Sequence, residues 1–275
     1  MTDPAKAWTQ RYREPPAGPV ISPAIMTPTI ATLLTHRSVR AYTPDALPEG
    51  ALEAAIAAAQ SAATSSNLQS WSVVAITDKA RKARLAALAG NQHHVEQAPL
   101  FLVWIADLSR LDRMAHTHHL GTDALDYTET FLVSTIDATL AAQNATAAFE
   151  SLGLGTVYIG GLRNHPEQVA AELKLPPRSI ALFGLCVGKP DPAHPAAIKP
   201  RLPQSAVLHH ERYDTTHEAE TLSAYDDRAS AFQQEQNLPP RAWSRAMSER
   251  IATVAALHGR DKLRTILHRM GLARL

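Results

Sequence analysis

The chain has 275 residues, 45% hydrophobic and 19% charged, with a formal net charge of +1. This near-neutral balance argues against nucleic acid as the main partner, and no apolar stretch reaches the roughly 18 residues that suggest a membrane span. A single cysteine, Cys186, excludes an internal disulfide and any Cys-based zinc site and fits a reducing cytoplasm, while the length allows one large domain or two small ones.

The first 26 residues carry Asp3, Lys6, Arg11, Arg13 and Glu14 and then a Pro-rich run, without the apolar core of a signal peptide. They read as an arm lying on a partner subunit or partly disordered. A short helix over 27–34 leads into His36-Arg37-Ser38-Val39-Arg40, where two guanidiniums, an imidazole and a hydroxyl crowd five residues. Guanidiniums grip phosphate with parallel charge-assisted bonds, and a serine adds a hydroxyl donor to the same oxygens. Alone, this pentapeptide reads as a solvated basic turn. A second basic element, Lys199-Pro200-Arg201, stiffened by its proline, changes the reading: two rigid cationic clamps suggest one phosphate between them.

Pro48-Glu49-Gly50 opens an Ala-rich helix over 51–63, followed by the polar loop Thr64-Ser65-Ser66-Asn67-Leu68-Gln69-Ser70. Residues 71–77 form an apolar run of strand length, 80–88 have helical spacing, and 99–106 form a second strand. Such continuous apolar runs belong to sheets covered on both faces. A polar insert at 111–126 and the Pro-containing loop at Leu238 leave room for mobile cavity walls. A long helix over 127–152, nearly free of charge after Glu129, ends at Gly153 as a glycine-capped helix does.

The stretch from Gly153 to Leu162 fails as a nucleotide loop. A dinucleotide fingerprint needs glycine where Tyr158 stands, and a phosphate-binding loop needs Lys at Gly161 and Ser or Thr at Leu162. Gly160 and Gly161 instead suit close backbone approach to a flat ligand. A helix over 166–173 and a buried strand around Cys186, which reads as an inert structural thiol, come next. C-terminal helices are expected over 221–234 and 243–274. His116-Thr117-His118-His119, His93-His94 and His209-His210 read as solvated surface rather than metal ligands, since no Asp or Cys lies at zinc spacing. Trp71 and Trp104 read as core. Tyr127 and Phe131 either rim a cavity or pack a helix.

In this order, His36 to Arg40, Ser65 to Gln69, Gln92, Ala142-Gln143-Asn144, Ser151 to Asn164, Leu182 to Leu185 and Lys199 to Arg201 resemble the flavin-dependent nitroreductase superfamily. Within it they resemble the bacterial oxygen-insensitive NADPH nitroreductases and NADPH-flavin oxidoreductases. The resemblance implies an α+β fold with a central, mostly antiparallel sheet among helices. It implies FMN at a homodimer interface and C-terminal segments wrapping the partner. It divides the chain into an arm (1–28), an FMN-binding core (29–204) and a C-terminal helical extension (205–275).

Carried across by position, Arg37, Ser38, Lys199 and Arg201 would hold the FMN phosphate, with His36 beside them. Arg40 and Gln92 would face the ring's N1, O2 and N3 edge, and Tyr158, Ile159, Gly160, Gly161 and Leu162 would lie behind the ring with a backbone amide near N5. Ser65, Ser66, Leu68 and Gln69 would come from the other subunit. Reduced flavin carries negative charge near N1 and O2, so a guanidinium there favours the reduced state. The flavin performs the redox chemistry itself, which accounts for the lack of a catalytic triad or carboxylate pair.

The implied activity is hydride transfer from NADPH or NADH through FMN to nitroaromatics, quinones or free flavin, by a ping-pong mechanism. The alternative is a flavin-storage protein with little turnover. In the related enzymes a mobile loop supplies arginine to the 2′-phosphate of NADPH. The corresponding residues 233–240 contain none, so Arg241 and Arg245 are the candidates to replace it, and Tyr127 is a candidate substrate contact.

Overall fold

A computed structural model describes residues 4–13 and 25–275. Its helices are α1 (Pro4–Tyr12), α2 (Pro28–Leu34), α3 (Ala51–Gln60), α4 (Lys79–Leu88), α5 (His93–Gln97), α6 (Ser109–Thr117), α7 (Thr128–Ser151), α8 (Pro166–Leu173), α9 (Glu218–Glu235), α10 (Trp243–Ile251) and α11 (Leu263–Arg269). The strands are β1 (Trp71–Ile76), β2 (Leu100–Asp107), β3 (Gly155–Ile159) and β4 (Ser179–Gly188). The chain divides into two compact units, Met1–Arg37 with Ala196–Leu257, and Ser38–Pro195 with His258–Leu275. These boundaries do not coincide with the expected ones at 28 and 204, because the segments before Ser38 and after Pro195 pack with each other.

The larger unit is built on an antiparallel sheet of order β1-β2-β4-β3. Every residue of β2 is buried, and its side chains alternate between two cores. Phe101, Val103 and Ile105 pack with Leu85, Val95 and Val169 from α4, α5 and α8, whereas Leu100, Leu102 and Trp104 pack with α3 and α7. An unbroken apolar run is thus compatible with an antiparallel strand when helices cover both faces. On the second face α3 contributes Ala51, Ala55 and Ala59, and α7 contributes Ala141, Ala142 and Ala145. Side chains this small let the two helices approach closely, and the Asn144 amide donates across the gap to Ala58 O at 3.1 Å. Helix α7 ends where expected, with Gly153 at φ 78°. A third cluster joins Ala138, Ile180 and Leu182 to Leu267 and Leu272 of the C-terminal segment.

Cys186 is fully buried, and burial pushes its thiol up to about 12, in keeping with a structural role. Trp104 is likewise fully buried and packs at 5.5 Å on Trp71, so these rings are core.

In the smaller unit, α1 is a docked helix, which corrects the reading of the opening segment as an arm. Ala7, Trp8 and Arg11 are buried, Arg13 pairs with Glu235 at 2.9 Å, and the Arg13 guanidinium lies over the Phe232 ring. Residues 1–3 and 14–24 of the expected arm lie outside the described residues. The expected helix over 243–274 is also corrected. His258 at φ 52° and Gly259 at φ 85° are left-handed, a conformation that stops an α-helix, and the two parts belong to different units. The expected polar insert contains α6 and a short 3-10 turn over Asp123–Asp126.

Candidate functional site

In the larger unit, the segment after the first basic motif is laced to the sheet. Ser38 bridges Thr156, the Val39 amide donates to Thr156 O at 2.9 Å, and Tyr42 bridges Pro190. Val39 is buried against Gly155, where a Cβ would come within 2.7 Å of it. The Tyr42 hydroxyl closes the segment by donating to Val39 O at 2.6 Å. Arg40 is therefore an exposed cation on a backbone anchored on both sides. His94, read from sequence as surface, is half-buried with its Nε2 shielded from water. Burial, followed by the positive charges of Arg40 and His93, holds it below the ordinary imidazole value.

Gln92 and Gly161 come together in the larger unit. The Gln92 side-chain amide donates to Ala89 O at 2.7 Å, and a Cβ on Gly161 would lie 2.2 Å from Ala89 O and 2.7 Å from Gln92 Nε2. Only glycine permits that approach. Ile159 and Leu162 point their side chains into the core, and the Tyr158 hydroxyl is shared with Thr146 at 2.9 Å. Burial pushes Tyr158 up to about 12. The backbone of this turn is thus the part able to face a ligand. Behind Gly160 lies the Arg163 fork, which donates to Leu182 O, a contact sequence reading did not single out.

The loop containing Ser65, Ser66, Leu68 and Gln69 has a second organiser absent from the sequence reading. Ser66, Asn67 and Gln69 adopt positive φ of 49°, 57° and 48°, a region that costs non-glycine residues roughly 1–2 kcal/mol each. The carboxylate of Asp137, on α7 and 1% exposed, holds them. It accepts from Thr64 Oγ1 at 2.6 Å, Ser65 N at 3.2 Å, and both Ser70 N and Ser70 Oγ at 3.1 Å. Thr64 Oγ1 in turn accepts from Gln69 N at 2.9 Å. The only sequence signal was an acid in the middle of a helix whose other charges, Glu129 and Glu150, lie at its two ends.

In the smaller unit, Arg37, Lys199 and Arg201 are exposed and, among the described residues, have no carboxylate partner. Their backbones are tied together by Arg11. Its guanidinium donates to Leu34 O at 3.1 and 2.9 Å, to His36 O, and to Lys199 O at 2.8 Å, while Arg11 O accepts from Arg201 N at 3.0 Å. The Tyr225 hydroxyl donates to Pro200 O at 2.9 Å. Two motifs far apart in the sequence, His36–Arg40 and Lys199–Arg201, thus share one buried cation.

Arg241 and Arg245 converge on a single acid, Glu249. Arg245 Nε lies 2.6 Å from Glu249 Oε1, Arg241 pairs with Oε2, and these bonds hold the Glu249 carboxyl below its usual range. Tyr127 is exposed at the start of α7. His116 bonds Asp112 O at 2.8 Å, and His209 and His210 line a cleft of about 320 Å³ with Arg212, Asp214 and His217. Among the described residues no three His, Cys, Asp or Glu side chains converge as a metal site.

The sequence pattern of the nitroreductase family matches residues 33–189, and that of the nitroreductase family C-terminal domain matches residues 199–274. The chain is 40% identical over 225 residues to the FMN reductase (NADPH) of Bacillus subtilis, covering 80% of this chain and 89% of that one. It is 42% identical over 207 residues to the oxygen-insensitive NADPH nitroreductase of Salmonella typhimurium, covering 75% and 83%. The NADPH:FMN oxidoreductase of Vibrio harveyi, solved with NAD+, superposes with a TM-score of 0.79 at 36% identity, over 90% of this chain and 99% of that one.

Proposed function

The chain belongs to the nitroreductase family and has its α+β fold, and from that premise we propose that it is an FMN-dependent oxidoreductase taking hydride from NADPH or NADH. The carrying observation is the set of exposed cations Arg37, Lys199 and Arg201, which have no carboxylate partner among the described residues and whose two segments hang from Arg11. A terminal phosphate suits such a set, because charge-assisted bonds to its oxygens satisfy cations that the protein leaves open. Relatives named for FMN and NADPH support the same choice.

In this reading Arg37, Ser38, Lys199 and Arg201 hold the phosphate. Arg40 and Gln92 hold the N1, O2 and N3 edge of the ring, and the Tyr158–Leu162 backbone backs it. FMN, when bound, supplies hydride acceptance and donation at N5. Arg40 stabilises negative charge at the ring's N1 edge, and its position between Val39 and Tyr42 spares reorganisation when that charge develops. With one site serving donor and acceptor, turnover would be ping-pong, with nitroaromatics, quinones and free flavin as acceptors.

The working unit is a homodimer. Leu132, Ile136 and Leu140 lie at successive four-residue steps on α7 and are 49%, 56% and 42% exposed, an apolar stripe suited to a second copy of the chain. The Ser65 to Gln69 loop then meets FMN of the partner subunit.

Purified protein should be yellow, release FMN on denaturation, bleach with NADPH under anaerobic conditions and recover its colour with nitrofurazone. A colourless protein, or a flavin that NADPH leaves oxidised, would sink the reading. Arg40→Ala should lower the flavin potential, and sedimentation should show a flavin-loaded dimer at micromolar concentration.

A further inference from the structure

Helix α1 precedes residue 33, where the family match begins, yet it touches both halves of the phosphate clamp. Arg11 is 5% exposed, and its guanidinium is committed to main-chain carbonyls on either side of the clamp. On one side it binds Leu34 O and His36 O, the residues leading directly into Arg37. On the other it binds Lys199 O, and its own carbonyl receives the Arg201 amide. The planar guanidinium fork suits this task because it presents up to five donors in a fixed array, which lysine cannot do.

The helix is itself held from outside the clamp. Trp8 and Ala7 are buried, and Arg13 pairs with Glu235. Tyr225 adds a hydroxyl to Pro200 O, so Lys199, Pro200 and Arg201 each have a main-chain group engaged by α1 or α9.

We propose that Arg11 is a positioning residue of the phosphate clamp, setting the spacing between Arg37 and the Lys199–Arg201 pair so that the site selects a flavin bearing a terminal phosphate. The proposal rests on the assignment of Arg37, Lys199 and Arg201 to the FMN phosphate. Arg11 does not bind the phosphate; its Nε, Nη1 and Nη2 each donate to a main-chain carbonyl. Its removal leaves the Leu34, His36 and Lys199 carbonyls without this donor and lets the two arms of the clamp drift apart.

The test compares FMN with riboflavin, which lacks the phosphate, by titrating flavin-stripped protein and following fluorescence quenching. Arg11→Met should weaken FMN binding by about tenfold or more while riboflavin affinity stays at the wild-type value. Arg11→Gln, which keeps two N–H donors, should fold if the methionine variant does not, and should show a smaller loss of FMN over riboflavin selectivity. Arg37→Ala and Arg201→Ala serve as the reference. If they collapse the selectivity and both Arg11 variants keep it, the positioning role is overturned and the phosphate assignment stands. If none of the four changes the selectivity, the phosphate assignment fails and the role of Arg11 fails with it. Equal losses for FMN and riboflavin in the Arg11 variants would mark a purely structural residue and also overturn the proposal.

Discussion

Two acidic side chains organise expected site regions in opposite ways. Asp137 is buried and gathers two amides and two hydroxyls of the Thr64–Ser70 loop, whereas Glu249 is exposed and gathers the guanidiniums of Arg241 and Arg245. The first has no water to replace a lost partner; the second is bathed in it. A hydrogen bond's worth depends on what the groups do when it is broken, so a buried acceptor governs folding and an exposed one governs availability. The Asp137 loop is a fixed element. The Glu249 pairs are an exchangeable one, in which a phosphate can compete with the carboxylate for the same forks.

The largest test of that contrast is Asp137→Ala. It leaves the Ser65 and Ser70 amides without an acceptor at the head of three left-handed residues, and stability should fall by about 3 kcal/mol or more in urea unfolding of the flavin-free protein. A loss well under 1 kcal/mol would break the comparison. Next in size is Gly161→Ala, whose methyl must displace the Ala89 carbonyl and the Gln92 amide. Overpacking against backbone should cost about 1–3 kcal/mol, and flavin retention should fall with it.

Asp137→Asn sharpens the contrast further. One of the two acceptor oxygens becomes a donor facing groups that also donate, so a loss of about 1–2 kcal/mol is expected, smaller than for alanine because one oxygen still accepts. The smallest effect belongs to Glu249→Ala, which should leave the urea midpoint unchanged. If Arg241 and Arg245 recognise the 2′-phosphate, freeing them should lower the NADPH KM roughly two- to five-fold with NADH unaffected. A parallel change for both nucleotides would remove Arg241 and Arg245 from that role.

Much of the architecture was legible from local pattern. The helix at Pro166–Leu173 matched the expected bounds, and β1, β2, α4 and α7 fell within one or two residues of theirs, since each has a period and an end signal written locally. The bend at His258 was not legible, because a left-handed histidine is set by its surroundings. The role of α1 was missed for a different reason: a charged, Pro-flanked segment looks like an arm unless one knows which carbonyls await its arginine.

The sequence by itself determined that the chain carries two cationic motifs, a glycine pair for close approach, an almost uncharged long helix and the ordered motifs of a flavoenzyme family. Residue types and spacings carry that information without reference to distant partners. Only the tertiary structure decided that Arg11 joins the two cationic motifs, that Asp137 shapes the Ser65–Gln69 loop, that Gly161 faces Gln92 and that Glu249 occupies both candidate nucleotide arginines. These are contacts between side chains and distant main-chain or side-chain groups. Their strength comes from burial and direction, which exist only once the chain has folded.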